Sequence, residues 1–159
     1  MKLPENDYQI LQLSDEFYDK YNSPPYQEIL KKNNRPYNCL LFQTHYNYYI
    51  CIPYRTEISH SYAYRFKKSK RSRKHKSGLD YTKIVIINEG KYIGDRITII
   101  DKDEYNETLT FFRRIKSEAL QYVEDYISHI NGTSLLSHQE FNRRYNYSTL
   151  KYFHNELGI

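Results

Sequence analysis

The sequence predicts an α+β fold in which a curved antiparallel sheet is backed by helices. Up to Ile100 the chain contains five or six short β-rich runs. From Asn106 onward the apolar period changes from two to about 3.6, which is typical of helices. A chain of 159 residues, 39% of them hydrophobic, can bury one substantial core but not two. We therefore expect a single domain over residues 1–159 that ends in a helical tail.

The predicted strands occupy the first two thirds of the chain. Alternating or continuous apolar runs bounded by polar turn residues are typical of β-strands. The hairpin is inferred from two such runs around Thr44–Asn47. The predicted strands are Tyr8–Leu13, Tyr37–Gln43, Tyr48–Pro53, Ser61–Phe66, Tyr81–Asn88 and Ile97–Ile100.

The predicted helices follow from capping residues and apolar stripes. Ser14 is a typical N-cap with Asp15 and Glu16 after it, and Tyr26–Lys32 predicts a helical turn or two. A long helix should end at Asn131-Gly132. Its apolar stripe is Phe112, Ile115, Ala119, Tyr122, Val123, Tyr126 and Ile130. The tail is completed by shorter helices at Ser137–Arg144 and Ser148–Leu157.

Composition narrows the class of protein. The apolar runs are strand-sized, and residues Met1–Tyr8 lack the apolar stretch of a signal peptide, so we expect a cytoplasmic protein without membrane contact. Cys39 and Cys51 lie within apolar runs and are expected to be core thiols. Two cysteines without paired spacing predict no structural zinc site.

Positive charge is concentrated in one stretch, Arg65–Lys76, which we call the basic segment. It contains eight Lys or Arg residues and no acid, within a predicted basic loop over residues 65–77. The remaining 16 basic and 19 acidic residues give the rest of the chain a net charge of −3. Such a segment attracts a polyanion and releases its counterions. A solvated loop without function is the alternative interpretation.

Four short blocks stand in order along the first two thirds of the chain, at Asn34–Tyr37, Ile52–Thr56, Ser59–Tyr64 and Gly78–Val85. Together they resemble the TenpIN family of ToxN-like toxins from type III (protein–RNA) toxin–antitoxin systems. Leu13–Tyr21 fits the N-terminal pattern of that family. The resemblance covers about Leu13 to Ile100, and beyond it only the helical tail is of compatible length.

The resemblance implies a twisted, partly closed antiparallel sheet packed with helices, related to the fold of the Kid/MazF toxins. It also implies a metal-independent, sequence-specific endoribonuclease without cofactor, acting on cellular or phage RNA. A structured antitoxin RNA encoded as tandem repeats would inhibit it within a closed protein–RNA assembly. Arg35 and the residues from Pro53 to Thr56 match the positions at which the family lines its groove. The basic segment departs from the family pattern.

Metal-free RNA cleavage needs a base for the 2′-hydroxyl nucleophile, a cation for the phosphorane and an acid for the leaving oxygen. Arg55 is the candidate phosphate ligand, and its alternative is a surface salt bridge to Glu57 or Asp80. Thr56 is a candidate donor to a phosphate oxygen, or simply a strand residue. His60 is the best placed of six histidines. Lys83 either points into the groove or extends along the surface.

RNA contacts are predicted for three tyrosines and for the basic residues. Tyrosine rings stack on bases, although most of the nineteen tyrosines are expected to fill the core. Flexible cations in a serine-rich segment suit phosphate contacts. The candidates are Arg35, Tyr18, Tyr62, Tyr64, Lys67, Lys68, Lys70, Arg71, Arg73 and Lys74.

Two other function classes compete with this one. Asp80, Glu89 and Lys91 loosely match the Asp…Glu-x-Lys arrangement of metal-dependent nucleases. A non-catalytic RNA-binding module is the second alternative, although no RNP, KH or zinc signature supports it. Cleavage in the presence of a chelator would favour the toxin, and the absence of cleavage would favour the module.

Overall fold

A computed structural model describes residues 8–22, 24–30, 37–96 and 98–159. The predicted α+β class is confirmed, since six antiparallel strands form one sheet that several helices accompany. The resemblance implied a partly closed sheet. The observed sheet is open and does not close into a barrel. No helix of the described residues is long and apolar enough to cross a membrane.

The strands run in the order β1-β2-β3-β5-β4, and β6 also pairs with β3. The first half of β3 pairs with β6 and its last two residues pair with β5, while β2 flanks its other edge. This branching makes β3 the centre of the sheet. The strands are β1 Tyr8–Gln12, β2 Asn38–Gln43, β3 Tyr49–Arg55, β4 Ala63–Arg65, β5 Gly78–Asp80 and β6 Val85–Ile87.

The helices begin largely where side chains cap them. Ser14, Ser69, Asp101 and Ser137 each accept a backbone N–H of the following turn. Single turns of 3₁₀ helix occupy Tyr81–Lys83, Gly90–Tyr92 and Thr149–Tyr152. The α-helices are α1 Asp15–Lys20, α2 Lys70–His75, α3 Lys102–Thr110, α4 Phe112–Ile130, α5 His138–Tyr145 and α6 His154–Leu157.

Both faces of the central strands are covered. Phe42 of β2 contacts Phe112 of α4, with ring centroids 5.9 Å apart. Cys39 points to the opposite face of β2, where Tyr18 of α1 lies beside it. The predicted stripe of α4 is buried from Phe112 to Tyr126, and Cys39 and Cys51 are buried free thiols as expected.

Three sequence-based predictions about elements are wrong within the described residues. Residues 98–100 form no strand, and the carbonyl of Ile99 accepts the side-chain amide of Asn38 instead of a strand partner. Residues 26–30 form turns rather than a helix. The predicted strand Tyr81–Asn88 starts only at Val85, because the Asp80 carboxylate accepts the Thr82 N–H and turns the chain into a 3₁₀ helix.

The basic segment is not a continuous loop, because its middle is the helix α2. Ser69 caps this helix and Lys76 ends it with a left-handed backbone (φ +48°). The helical tail differs in detail as well. It begins at Lys102, breaks at Phe111 and divides its last stretch between a 3₁₀ turn and α6.

Candidate functional site

A pocket of about 370 Å³ opens where the end of β3 meets the start of the 3₁₀ turn Tyr81–Lys83. Because Arg55 pairs with Gly78 across the sheet, and Ala63 with Asp80, the ends of β3, β4 and β5 converge here. Four predicted residues are thereby brought together, namely Arg55, His60, Tyr62 and Lys83. The full lining is Arg55, Ser59, His60, Tyr62, Thr82, Lys83, Arg143, Arg144 and Tyr147.

The buried carboxylate of Asp80 lies beneath the pocket. Its Oδ2 accepts from Arg55 Nη1 at 2.7 Å, and its Oδ1 accepts from the Thr82 backbone N–H at 3.0 Å and the Thr82 hydroxyl at 2.6 Å. His60 Nε2 lies 3.2 Å from the same Oδ1. Burial by itself raises the pKa of Asp80, but the close contact with His60 and the hydrogen bonds from Thr82 and Arg55 outweigh it and lower that pKa. Asp80 is therefore an anion whose donors are fixed around it.

Both ring nitrogens of His60 are engaged by protein groups. Nδ1 accepts the backbone N–H of Tyr62 at 3.1 Å, which assigns the proton of a neutral ring to Nε2. Nε2 is buried and faces Asp80, in an electrostatic contact rather than a well-aligned hydrogen bond. The Tyr62 ring stacks near the imidazole, with centroids 6.1 Å apart. In this arrangement the His60 ring acts on the orientation of the Asp80 carboxylate more directly than on a molecule bound in the pocket.

Lys83 is half-buried at the end of the 3₁₀ turn, and its ammonium donates to the carbonyl of Tyr147 at 2.8 Å. Burial lowers the pKa of Lys83, the Asp80 carboxylate opposes that shift, and the Arg55 cation adds to it. The Lys83 side chain therefore reaches the groove, which was one of the two sequence-based alternatives. Its amine loses a proton more readily than that of an ordinary lysine.

The third side of the pocket was not predicted from the sequence. It consists of Arg143, Arg144 and Tyr147. These residues lie at the end of α5 and in the turn after it. Arg144 pairs with Asp125 at 3.3 Å, whereas Arg143 is exposed and forms no ion pair within the described part of the chain. The Arg-Arg pair was visible in the sequence, but no local pattern connects it to a lysine some 60 positions earlier.

Three predicted site residues, Tyr64, Tyr18 and Thr56, do not line this pocket. Tyr64 is buried and donates its hydroxyl to Glu107 at 2.7 Å. Tyr18 is half-buried beside the core thiols, and Thr56 is half-buried without lining the pocket. Arg35 lies outside the described residues.

The basic segment is fastened to the domain by two buried carboxylates of α3. Glu107 accepts the backbone N–H groups of Lys67 and Lys68 at 3.0 and 3.2 Å. Glu104 accepts the hydroxyls of Ser69 and Ser77 at 3.1 and 2.8 Å. All eight Lys and Arg side chains of the segment are exposed.

The basic segment also borders the pocket. Arg65 donates to the carbonyl of His60 at 2.7 Å, and the Glu57 N–H donates to the carbonyl of His75. These contacts join the loop that carries His60 to both ends of the segment. A polyanion bound along the segment would therefore pass close to the pocket.

The alternative metal site receives no support from these contacts. The carboxylate of Asp80 already accepts from Arg55 and Thr82, while Glu89 is exposed and pairs with Lys91 at 3.3 Å. Among the described residues no group of three His, Cys, Asp or Glu side chains is arranged to hold a metal ion.

Comparison of the chain with protein-family models, with curated proteins and with solved structures finds no match.

Replacing Asp80 with Asn should lower the free energy of unfolding by about 2–4 kcal/mol at pH 7, because Arg55 and His60 lose a buried anion. Since the folded pKa of Asp80 is lowered, its stabilisation is present above the unfolded pKa, about 3.9. It is lost as pH falls through the folded value. Urea unfolding should show a constant difference from wild type above about pH 5 that shrinks below about pH 4.

The exposed Asp19 on α1 provides the matched control. Asp19→Asn should change the unfolding free energy by less than about 0.5 kcal/mol at either pH. Equal stability of Asp80→Asn and wild type at pH 7 would contradict the proposed importance of this network.

Proposed function

We propose that this chain is a metal-independent endoribonuclease and the toxin of a type III toxin–antitoxin system, with a ToxN-like fold. The supporting observation is the cation-rich pocket around Arg55 and Lys83 at the border of the exposed basic segment. RNA cleavage of this type needs positioned charge and proton transfer, because the ribose itself supplies the nucleophile. Cellular or phage RNA is the proposed substrate, and a structured repeat RNA is the proposed inhibitor.

The reaction is transesterification within the RNA chain. The 2′-oxygen forms a bond to phosphorus, the bond from phosphorus to O5′ breaks, and the products carry a 2′,3′-cyclic phosphate and a 5′-hydroxyl. Arg55, held by Asp80 at 2.7 Å, stabilises the charge of the phosphorane. The exposed guanidinium of Arg143 faces the same pocket and adds a second cation for the phosphate.

Lys83 is the proposed proton acceptor. Its unprotonated amine can keep the hydrogen bond to the Tyr147 carbonyl and use its lone pair to accept the 2′-hydroxyl proton. Solvent water then protonates the departing O5′. His60, predicted from the sequence as a catalytic residue, is proposed instead as a positioning residue, because Tyr62 and Asp80 face both of its nitrogens.

A non-catalytic RNA-binding module is the second candidate. The observation that favours it is the same engagement of His60, which leaves Lys83 without a second side chain in the pocket, among the described residues, to share the proton transfer. The two functions differ in one respect, since both bind RNA but only the nuclease breaks the chain. Cleavage products decide between them.

Induced expression in bacteria should arrest growth and fragment transcripts at a short preferred sequence. The purified protein should cleave the same sites in the presence of EDTA and leave 2′,3′-cyclic phosphate ends, because no step requires a metal ion. Co-expression of a tandem-repeat RNA encoded upstream should restore growth. Intact RNA in arrested cells would reject the nuclease, and cleavage abolished by EDTA would reject the metal-independent chemistry.

Lys83→Arg should reduce kcat by about 10²–10⁴ with little change in KM, because arginine keeps the positive charge but does not release a proton near neutral pH. The pH profile of kcat/KM in the wild type should have an acid limb below the ordinary lysine value of 10.5. Single-turnover cleavage of a fluorescent RNA measures both effects.

His60→Gln is the discriminating companion variant. Glutamine can still donate to Asp80 but cannot exchange a proton, so activity should stay within about tenfold of wild type and the acid limb should persist. If His60→Gln folds but loses as much activity as Lys83→Arg, His60 takes part in the proton transfer.

Neutralising the basic segment should weaken RNA binding without moving the cleavage site, because exposed cations contact phosphates that carry no sequence information. Glutamine preserves the helical propensity of α2. With four phosphate contacts removed, the slope of log affinity against log salt should flatten by up to about 3 units for a single strand. The substitutions are Lys67→Gln, Lys70→Gln, Arg73→Gln and Lys74→Gln.

An equal change of charge elsewhere on the surface serves as the control. It should leave the salt slope within about one unit of wild type. A changed cleavage preference with an unchanged salt slope in the first variant would show that the segment reads bases. The control substitutions are Lys20→Gln, Lys91→Gln, Lys102→Gln and Arg113→Gln.

A further inference from the structure

The most exposed tyrosine of the chain lies on the rim of the pocket. Of nineteen tyrosines, sixteen are buried or half-buried, and only Tyr46, Tyr105 and Tyr147 are exposed. Tyr147 has 72% of its surface exposed, against 46% and 43% for the other two. It is also the single one of the three that lines the pocket with Arg55 and Lys83.

The backbone around Tyr147 is held firmly although its ring is free. Its carbonyl accepts from Lys83 Nζ, and the hydroxyl of the preceding Tyr145, which is buried, donates to the carbonyl of Tyr122 at 2.6 Å. On the other side, the hydroxyl of buried Thr149 donates to the carbonyl of Ile84. No ring or hydrogen-bond contact of the Tyr147 side chain occurs within the described part of the chain. The backbone that carries the ring is therefore fixed, so the ring projects from an ordered turn rather than from a loose loop.

The ring stands beside cations that suit a phosphate. Arg143 precedes it by four positions, has no ion-pair partner among the described residues, and lines the same pocket as Arg55. An aromatic face next to guanidinium groups matches a nucleotide, because the ring stacks on a base while the cations hold the phosphate. In a duplex both faces of each internal base are covered by neighbouring pairs, so only an unpaired base can offer a face to Tyr147.

We propose that Tyr147 is the stacking platform for one unpaired nucleobase next to the phosphate held by Arg55 and Arg143. The pocket accordingly takes single-stranded RNA, and Tyr147 contributes to sequence preference at one nucleotide beside the scissile bond. The role of Tyr147 in cleavage preference rests on the proposed nuclease function, whereas the stacking site itself requires only that the protein binds RNA.

The binding experiment uses short single-stranded oligonucleotides in which every sugar is 2′-O-methylated, so that no cleavage occurs. A 2-aminopurine base is placed at successive positions, and its fluorescence falls when it stacks on an aromatic ring. Wild-type protein should quench one position most strongly. Tyr147→Ala should remove that quenching and weaken binding roughly tenfold or more, whereas Tyr147→Phe should retain both. The duplex form of the same oligonucleotide should show no position-specific quenching.

The ring of Tyr147 is exposed, so both variants should unfold at the wild-type temperature, which circular dichroism verifies. Quenching and affinity unchanged in Tyr147→Ala would overturn the stacking site. A site-preference map of cleaved RNA then separates the two proposals. If the wild-type protein never cleaves RNA, and Tyr147→Ala loses the stacking that wild type shows, the nuclease is rejected and the stacking platform is kept. Cleavage by wild type with the same preference in Tyr147→Ala would keep the nuclease and reject the platform's role in specificity.

Discussion

A carboxylate without solvent exposure joins three of the chain segments that form the pocket. Asp80 receives Arg55 from the end of β3, His60 from the following loop and Thr82 from the 3₁₀ turn. A buried charge is costly unless its lone pairs are filled, and here the donors fill them. Since the anion cannot move without losing several donors at once, Arg55 is held in one position. A fixed guanidinium needs little reorganisation when charge develops on a bound phosphate.

The same physical solution recurs beneath the basic segment. Glu104 and Glu107 are buried in α3, and they accept hydroxyl and backbone N–H groups from the segment that passes over them. Because these acids bind mainly the backbone and the serines, the lysine and arginine heads remain free to face solvent. Only Arg71 approaches one of them, at 3.6 Å from Glu104. The acidic groups thus fasten the segment to the domain while leaving most of its surface charge uncompensated.

Sequence patterns predicted the elements whose signal is local and repeated. Strands β1 to β3 and helix α4 follow from their apolar periods, and Ser14 and Ser137 cap helices as their residue types indicate. The 3₁₀ turn at Tyr81 escaped prediction because Asp80, rather than any apolar pattern, ends the strand there. Within the pocket, Arg55 and His60 were found because they are close in sequence. Arg143 and Tyr147 were not, since only tertiary packing across 64 positions brings Tyr147 to Lys83.

That long-range contact joins the parts of the pocket proposed for chemistry and for recognition. Lys83 touches the backbone of the turn whose side chain, Tyr147, faces the groove, and Thr149 ties the same turn to the carbonyl of Ile84. Displacement of the turn would therefore remove a hydrogen bond from the amine and shift the aromatic ring together. A base stacked on Tyr147 as proposed would help to hold the turn in place, and with it the orientation of Lys83. In the proposed mechanism, recognition of the nucleotide and placement of the proton acceptor are therefore coupled through the hydrogen bond between Lys83 and the Tyr147 carbonyl.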